Sequence, residues 1–339
     1  MHMIQKIVYL FINWDKHLPA WLIRAVSFVP SAVIVYSLYY FVQSAHFASF
    51  YESAELDTVG ILSLLLAGLM MCANWYIEAC KWRLLVAQSV SISMRQSVIA
   101  VLYGTSLGFI TPNRVGDYSG RAQILPAAYR EHGVSATVFS SIGQNIPTFL
   151  FGAISFLVLA IDGFLNHMHM VLLLGSTVGF LATCFFAFIL FRPLAVQRIF
   201  SHVRLASVKR YLATVADRYP QRLLRRILVL SVGRYMIFIV QFWLIARAFV
   251  VIDFSQAFVA LAATYLANTI IPSNQLVEFG VRIGVPSFIL SYYGIAAEPV
   301  AFSAFILWLI NLAVPSSIGG FVYRHYSSQE NLLAAKTIL

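Results

Sequence analysis

Residues 97–121 read SVIAVLYGTSLGFITPNRVGDYSGR, and this stretch decides how the chain is organised. An apolar run ends at Pro112, and a polar run follows in which Asp117 precedes Arg121 by four residues. A proline ends the incoming helix because it has no backbone donor. An acid and a base one helical turn apart lie on one face and can pair. The stretch therefore predicts two short helices around a break, with a charge pair on the second.

A second stretch repeats this order. Residues 257–282 read AFVALAATYLANTIIPSNQLVEFGVR, with a break at Pro272 and with Glu278 four residues before Arg282. Charged side chains are costly at membrane depth, so two matched sets indicate an internal repeat and a polar site.

The apolar piece before each break is too short to cross a bilayer. The pieces Ser97–Ile110 and Ala257–Ile271 have about 14 residues and reach only ~21 Å, against a hydrocarbon core of ~30 Å. We expect a return helix after each, near Tyr118–Ala128 and near Phe279–Tyr293. Each pair of helices is then re-entrant, which means that it enters and leaves on the same side of the membrane.

The composition is that of a membrane protein. Of the 339 residues, 60% are hydrophobic and only 11% are charged, whereas about 25% of the residues in a soluble domain are charged. Runs of roughly 20 apolar residues can each span a bilayer as a helix. The candidate spans are Trp21–Val42, Val59–Ala79, Val134–Ala160, Met170–Phe191, Ile227–Val250 and Val300–Gly320. We therefore predict an all-α, polytopic membrane protein with six full transmembrane helices and two re-entrant pairs.

Charge placement predicts the orientation of these helices. With a cytoplasmic N-terminus, all of the 23 Lys and Arg residues except Arg234, Arg247 and Arg282 fall on cytoplasmic segments, as the positive-inside rule requires. The first re-entrant pair then opens to the cytoplasm and the second to the outside, so the two form an inverted repeat. We expect a multi-pass protein of the bacterial cytoplasmic (inner) membrane with both termini cytoplasmic.

Five segments follow from this topology. They are an interfacial N-terminal helix (1–20), a first membrane half (21–191), a basic cytoplasmic linker (192–226), a second membrane half (227–325) and a cytoplasmic tail (326–339). The net charge of +10 does not indicate nucleic-acid binding, because the basic linker lies beside anionic lipid headgroups.

Seven polar side chains are candidate substrate contacts. An Arg fork binds phosphate as well as carboxylate, and free amides near Val115 at a helix start favour an anion. Arg234 lies about 10 Å deep in its span and should face the interior, toward Asp117 or a substrate phosphate. The candidates are Arg114, Asp117, Arg121, Asn145, Arg234, Glu278 and Arg282. The alternative is that both charge pairs only stabilise the breaks.

Two smaller features complete these expectations. Glycines four apart, at Gly116 and Gly120 and again at Gly280 and Gly284, predict close helix contacts. Glu78 near Lys81 predicts a simple interfacial pair. The sequence has no Walker A loop, HExxH motif or dinucleotide fingerprint, so we expect no catalytic residue, no metal and no cofactor.

The first motif also carries a family resemblance. Thr111 to Asp117, running on to Arg121, resembles the T-P-x-R-x-G-E/D…R signature of the lysylphosphatidylglycerol synthase transmembrane region. That flippase-like domain also occurs in the multiple peptide resistance factor. The second motif resembles the later P-x-S-x-G-G-x-G-x-R-E region only loosely, because 274–277 lack the paired glycines and Glu278 precedes the Arg.

The resemblance implies a lipid-handling membrane protein. It favours a flippase-like translocator that moves an anionic, aminoacylated or polyprenyl-phosphate-type lipid between leaflets, with the phosphate headgroup as its partner. The family's synthases add a soluble aminoacyl-transferase domain that these 339 residues do not contain, so we expect this protein not to make the lipid. The alternatives are a membrane-embedded enzyme acting on a lipid-linked substrate and an accessory subunit of an envelope lipid or glycan complex. A homo-oligomer stays open.

Overall fold

The computed structural model describes residues 57–111, 114–164, 166–192, 219–271 and 275–338. These residues form helices joined by short turns. The α-helices are α1 Thr58–Val86, α2 Met94–Ile110, α3 Val115–Ala122, α4 Arg130–Ile161, α5 His169–Phe191, α6 Gln221–Arg247, α7 Phe254–Ile270, α8 Gln275–Tyr292, α9 Ala297–Trp308 and α10 Val314–Ile338. A π-helical segment, Leu309–Ala313, joins α9 to α10. The predicted all-α fold is confirmed.

Five helical stretches are long and apolar enough to cross a membrane. They are Thr58–Val86, Ala127–Ile161, His169–Phe191, Gln221–Arg247 and Ala297–Tyr326. These correspond to five of the six predicted spans, while the first, Trp21–Val42, lies outside the described residues, as does the predicted N-terminal helix. Large apolar side chains on them are exposed, and Met170 and Leu69 are 75% and 69% accessible. Apolar surface of this extent belongs in lipid rather than in water, which supports a polytopic membrane protein.

Both predicted breaks separate two helices. α2 begins at Met94, three residues before the predicted start, because Ser93 and Gln96 form a capping box. Asp253 and Gln256 cap α7 in the same way. α2 and α7 have 17 residues each, or about 25 Å, which is still short of the bilayer core. The re-entrant path through a membrane stays a prediction.

The return helix after the first break is shorter than predicted. α3 ends at Ala122 instead of reaching Ala128. The chain turns there before Pro126, whose ring disfavours helical geometry in the residue that precedes it. α8, by contrast, continues through its internal Pro286 to Tyr292, close to the predicted end.

The helices form two compact units, each assembled from separated parts of the chain. Among the described residues the first unit holds 78–138 and 309–338, and the second holds 57–77 and 139–308. The five predicted segments along the chain stay a prediction.

In the first unit α2 is the central helix, with α3 and α10 packed against it. The rings of Tyr103 and Tyr323 stack with centroids 3.6 Å apart, and the hydroxyl of Ser106 donates to the carbonyl of Ser316. A Cβ at Gly319 would lie 2.1 Å from the carbonyl oxygen of Leu102. Glycine is therefore the residue that allows α10 to approach α2 so closely.

In the second unit α7 packs against α4, α6 and α8. The hydroxyl of Ser155 donates to the carbonyl of Val259 at 2.5 Å, and the side chain of Gln241 donates to the carbonyl of Ala67 at 2.8 Å. These bonds satisfy buried polar groups inside an apolar body. α4 continues as an uninterrupted helix through Gln144, Asn145 and Pro147.

Candidate functional site

The first charge pair lies on a hairpin of two closely packed helices. A Cβ at Gly104 would lie 2.4 Å from Oδ1 of Asp117, and a Cβ at Gly120 would lie 2.8 Å from Cα of Gly104. Because these positions are glycine, α3 folds back onto α2 and brings its acid and its arginine against the α2 backbone. The predicted close contact at Gly116 and Gly120 is confirmed.

The turn that starts α3 is held by its own residues. The amide of Gly116 donates to Oγ1 of Thr111 at 2.8 Å, so this amide is already engaged and is not free for an anion as we expected. Arg114 caps the helix with φ of 56°, in the left-handed region that non-glycine residues seldom adopt. A Cβ at Gly108 of α2 would lie 3.5 Å from the Cβ of Arg114, so this residue packs against α2.

Arg121 is bound by two carboxylates. Its Nε and Nη2 donate to Oδ1 and Oδ2 of Asp117 at 2.7 and 2.8 Å, and its Nη1 donates to Oε1 of Glu78 at 2.7 Å. The bidentate Asp117 contact is the strong fork geometry of an Arg–carboxylate pair. The predicted pair thus forms, but it is part of a larger network.

Lys81 also belongs to this network. Its Nζ donates to Oε2 of Glu78 at 3.2 Å, and its side chain is fully buried. The side chains of Arg121 and Glu78 are each 6% exposed, whereas that of Asp117 is 21% exposed. Two acids and two bases cancel, so the network is neutral when all four groups are ionised. Neutrality and saturated hydrogen bonds are what make buried charges tolerable.

Glu78 was wrongly expected to form a simple interfacial pair. It is buried, and it joins Lys81 to Arg121, 43 residues further along the chain. We name Glu78, Lys81, Asp117 and Arg121 the first charge network. The signal that could have identified Glu78 and Lys81 is an acid and a base three residues apart within an apolar helix of 29 residues.

The second charge pair is more open than the first. Oε1 of Glu278 accepts from Nε and Nη2 of Arg282 at 3.0 and 2.6 Å, so one carboxylate oxygen holds both donors. The side chain of Arg282 is 21% exposed, against 6% for Arg121. The expected close contact at Gly280 and Gly284 does not form with the described residues, because a Cβ there would meet none of their atoms within 4 Å. Glycine spacing alone does not determine which face of a helix is packed.

Aromatic rings connect this pair to Arg234. The guanidinium of Arg282 lies over the ring of Tyr265, at 5.5 Å from its centroid, and Tyr265 contacts Phe238 with centroids 5.7 Å apart. The guanidinium of Arg234 lies over Phe238 and Trp75 at 5.2 and 5.6 Å. Cation–π contacts hold an arginine in place without using up its N–H donors. We name this set the second cluster: Trp75, Arg234, Phe238, Tyr265, Glu278 and Arg282.

Several polar groups of the second unit have hydrogen-bonding capacity to spare. Among the described residues, Nε1 of Trp75 and the hydroxyl of Tyr235 are buried without a hydrogen-bond partner. The ring of Tyr235 lies 5.7 Å from that of Tyr265, so this hydroxyl belongs to the surroundings of the second cluster. Among the described residues, Nδ2 and Oδ1 of Asn268 on α7 are also buried without a hydrogen-bond partner. Unsatisfied buried groups of this kind are rare and are favourable positions for ligand contacts.

Asn145 is half-buried on α4, and the described hydrogen bonds of the two charge pairs do not include it. Its predicted role therefore stays a prediction.

At the end of α8, two tyrosines fix the helix to a neighbouring turn. The hydroxyls of Tyr292 and Tyr293 donate to the carbonyl and the carboxylate of Asp162 at 2.8 and 2.7 Å. Burial and then the bond to Asp162 raise the pKa of the Tyr293 hydroxyl above its ordinary value, so this donor stays protonated at neutral pH.

Most of the chain is similar to a known protein family. No curated protein matches the chain. The family model described as the lysylphosphatidylglycerol synthase TM region matches residues 22–321, a range that includes both charge pairs. The chain, with its glycine-packed hairpin and paired charges in an apolar helical body, therefore belongs to the lysylphosphatidylglycerol synthase transmembrane-region family.

Proposed function

We propose that this protein is a lipid translocator that moves a phosphate-bearing lipid between the two leaflets of the membrane. The observation that carries the proposal is the first charge network, a buried and neutral set of four charges next to a helix break. Charges at membrane depth are costly and commonly serve a substrate pathway. Family membership supports lipid handling as the broader function.

An exchange of partners at Arg121 gives this network a transport role. A guanidinium accepts a phosphate in the same forked geometry as a carboxylate. Asp117 is the more exposed of the two carboxylates, and Glu78 is fixed from its other side by Lys81. A headgroup phosphate that reaches Arg121 would therefore displace Asp117 and leave Glu78 in place.

Charge balance then ranks the candidate lipids. When a phosphate replaces Asp117 on Arg121, the carboxylate of Asp117 is left without its cation, which is costly in a low-dielectric site. A headgroup that also carries an amine can pair with Asp117, and the net charge of the network and the headgroup together then stays at zero. This favours an aminoacylated lipid over a plain anionic lipid and over a polyprenyl phosphate.

The second cluster supplies a further set of headgroup contacts. Arg234 and Arg282 are both held by aromatic faces, and Trp75 offers an N–H donor. We propose that these groups bind the same kind of phosphate within the second unit.

We expect purified protein in liposomes to speed the movement of a fluorescent aminoacylated phosphatidylglycerol between leaflets. The measurement is the fraction of label that a membrane-impermeant reductant quenches over time. Plain phosphatidylglycerol and a polyprenyl phosphate serve as comparison lipids and should move more slowly. Equal rates with and without protein for all three lipids would contradict the proposal, and a change in lipid mass would instead indicate an enzyme.

We also propose that the protein lies in the bacterial cytoplasmic membrane with its termini inside. In a variant without the native Cys72, Cys80 and Cys184, a single cysteine at Val251 should react with an impermeant thiol reagent in intact cells. A cysteine at Gln88 should react only after the cells are opened. Both positions are exposed, and Val251 is 94% accessible, so accessibility to the reagent depends on the side of the membrane. The reverse pattern would overturn this orientation.

A further inference from the structure

A groove of about 680 Å³ lies between α2 and α10 in the first unit. Its walls are apolar and include Ile99, Leu102, Phe321 and Val322, and the side chain of Phe321 is 48% exposed. The described lining residues all belong to α2 and α10, so a chain-like apolar ligand can lie between these two helices.

Basic side chains are grouped at one end of the groove. Arg95 lies in the first turn of α2, and His325 lies on α10, which runs in the opposite direction. Nε2 of Gln96 donates to the hydroxyl of Tyr326 at 3.1 Å, which aligns the start of α2 with this part of α10. From Arg95 to Leu102 the groove extends about 10 Å along α2, at 1.5 Å per residue. The groove is therefore apolar along its walls and has the basic residues Arg95 and His325 at one end.

The groove is separate from the first charge network. Arg95, Ile99 and Leu102 recur at helical spacing and share one face of α2. Gly104, which contacts Asp117 and Arg121, lies about 200° round the helix from Leu102 at 3.6 residues per turn. A ligand in the groove would leave the first charge network intact, so the groove is a different site.

We propose that this groove binds an anionic phospholipid as a resident lipid, with one acyl chain along the apolar walls and the phosphate at Arg95 and His325. Charge complementarity selects this occupant, since an arginine fork and an imidazole both suit a phosphate. A second copy of the chain fits less well, because a two-fold contact pairs the same surface with itself. It would bring the basic ends of the two grooves together. The inference does not depend on the proposed transport function.

The test titrates delipidated protein in detergent with phosphatidylglycerol or phosphatidylcholine and counts bound lipids by native mass spectrometry. We expect wild-type protein to retain one phosphatidylglycerol in preference to phosphatidylcholine. Arg95→Gln should lower the affinity for phosphatidylglycerol by about tenfold, the value of one charge-assisted hydrogen bond, and leave phosphatidylcholine unchanged. Val322→Trp, which fills the groove, should prevent retention of both lipids.

Two matched variants define the controls. Arg225→Gln removes another exposed positive charge, on α6, and should retain the wild-type preference. Arg222→Gln, which removes a second exposed charge from α6, should also bind phosphatidylglycerol as the wild type does. Unchanged affinity in Arg95→Gln would overturn the proposal. So would a wild-type dimer that Val322→Trp dissociates, since the occupant would then be a second copy.

Discussion

An Arg121→Gln variant is expected to lose about 3–5 kcal/mol of stability, because removing one partner leaves buried charge uncompensated. The first charge network would then hold two acids, Asp117 and Glu78, and one base, the fully buried Lys81. The measurement is the free energy of unfolding of the detergent-solubilised protein, or its melting temperature. Arg225→Gln, an exposed charge on α6, is the matched control and should change stability by no more than about 0.5 kcal/mol.

A double variant separates stability from function. In Asp117→Asn with Arg121→Gln, one acid and one base are lost together, and Glu78 with Lys81 remains a neutral pair. We expect this variant to regain more than half of the lost stability and still to transport no lipid. A single Arg121→Gln variant as stable as the wild type would show that the four groups of the first charge network do not depend on one another for stability. A double variant with wild-type transport would remove Arg121 from the proposed mechanism.

Adding one methyl group at Gly319 is expected to disrupt the first unit. A Cβ there would lie 2.1 Å from the carbonyl oxygen of Leu102, and a backbone oxygen cannot rotate away as a side chain can. α10 must then move off α2, and we expect Gly319→Ala to cost about 3 kcal/mol, with Gly319→Val costing more. The melting temperature of the purified variant measures this loss.

Gly233 provides the control for that substitution. It also lies within a membrane helix, α6, but a Cβ there would meet no described atom within 4 Å. Gly233→Ala should be neutral, or stabilising by up to about 1 kcal/mol, because alanine favours the helix over glycine. If Gly319→Ala and Gly233→Ala melted at the same temperature, the close approach of α10 to α2 would be refuted.

Local patterns in the sequence predicted the fold well. The break at Pro112 and the pairing of Asp117 with Arg121 depend on neighbours within a few residues, so their consequences can be read from the chain. The start of α2 at Met94 depends on the capping box of Ser93 and Gln96, which is also a local signal in the sequence.

The part of the site that depends on packing could not be predicted in this way. Glu78 meets Arg121 only because Gly104 lets α3 lie against α2, and no local pattern joins residues 43 positions apart. In the same way, the spacing of Gly280 and Gly284 resembles that of Gly116 and Gly120, yet it does not tell which face of the helix is covered. Tertiary contact decides both cases.

The internal neutrality of each charge pair has a consequence for the energy source of transport. A unit charge that crosses a potential of 100 mV gains or loses about 2.3 kcal/mol. Asp117 with Arg121, and Glu278 with Arg282, each lie on a single short helix and sum to zero. A movement of either helix along the membrane normal therefore does almost no electrical work. In the proposed cycle, the membrane voltage acts only on the net charge of the lipid headgroup, which is zero for one phosphate with one amine, and leaves the helices themselves unbiased.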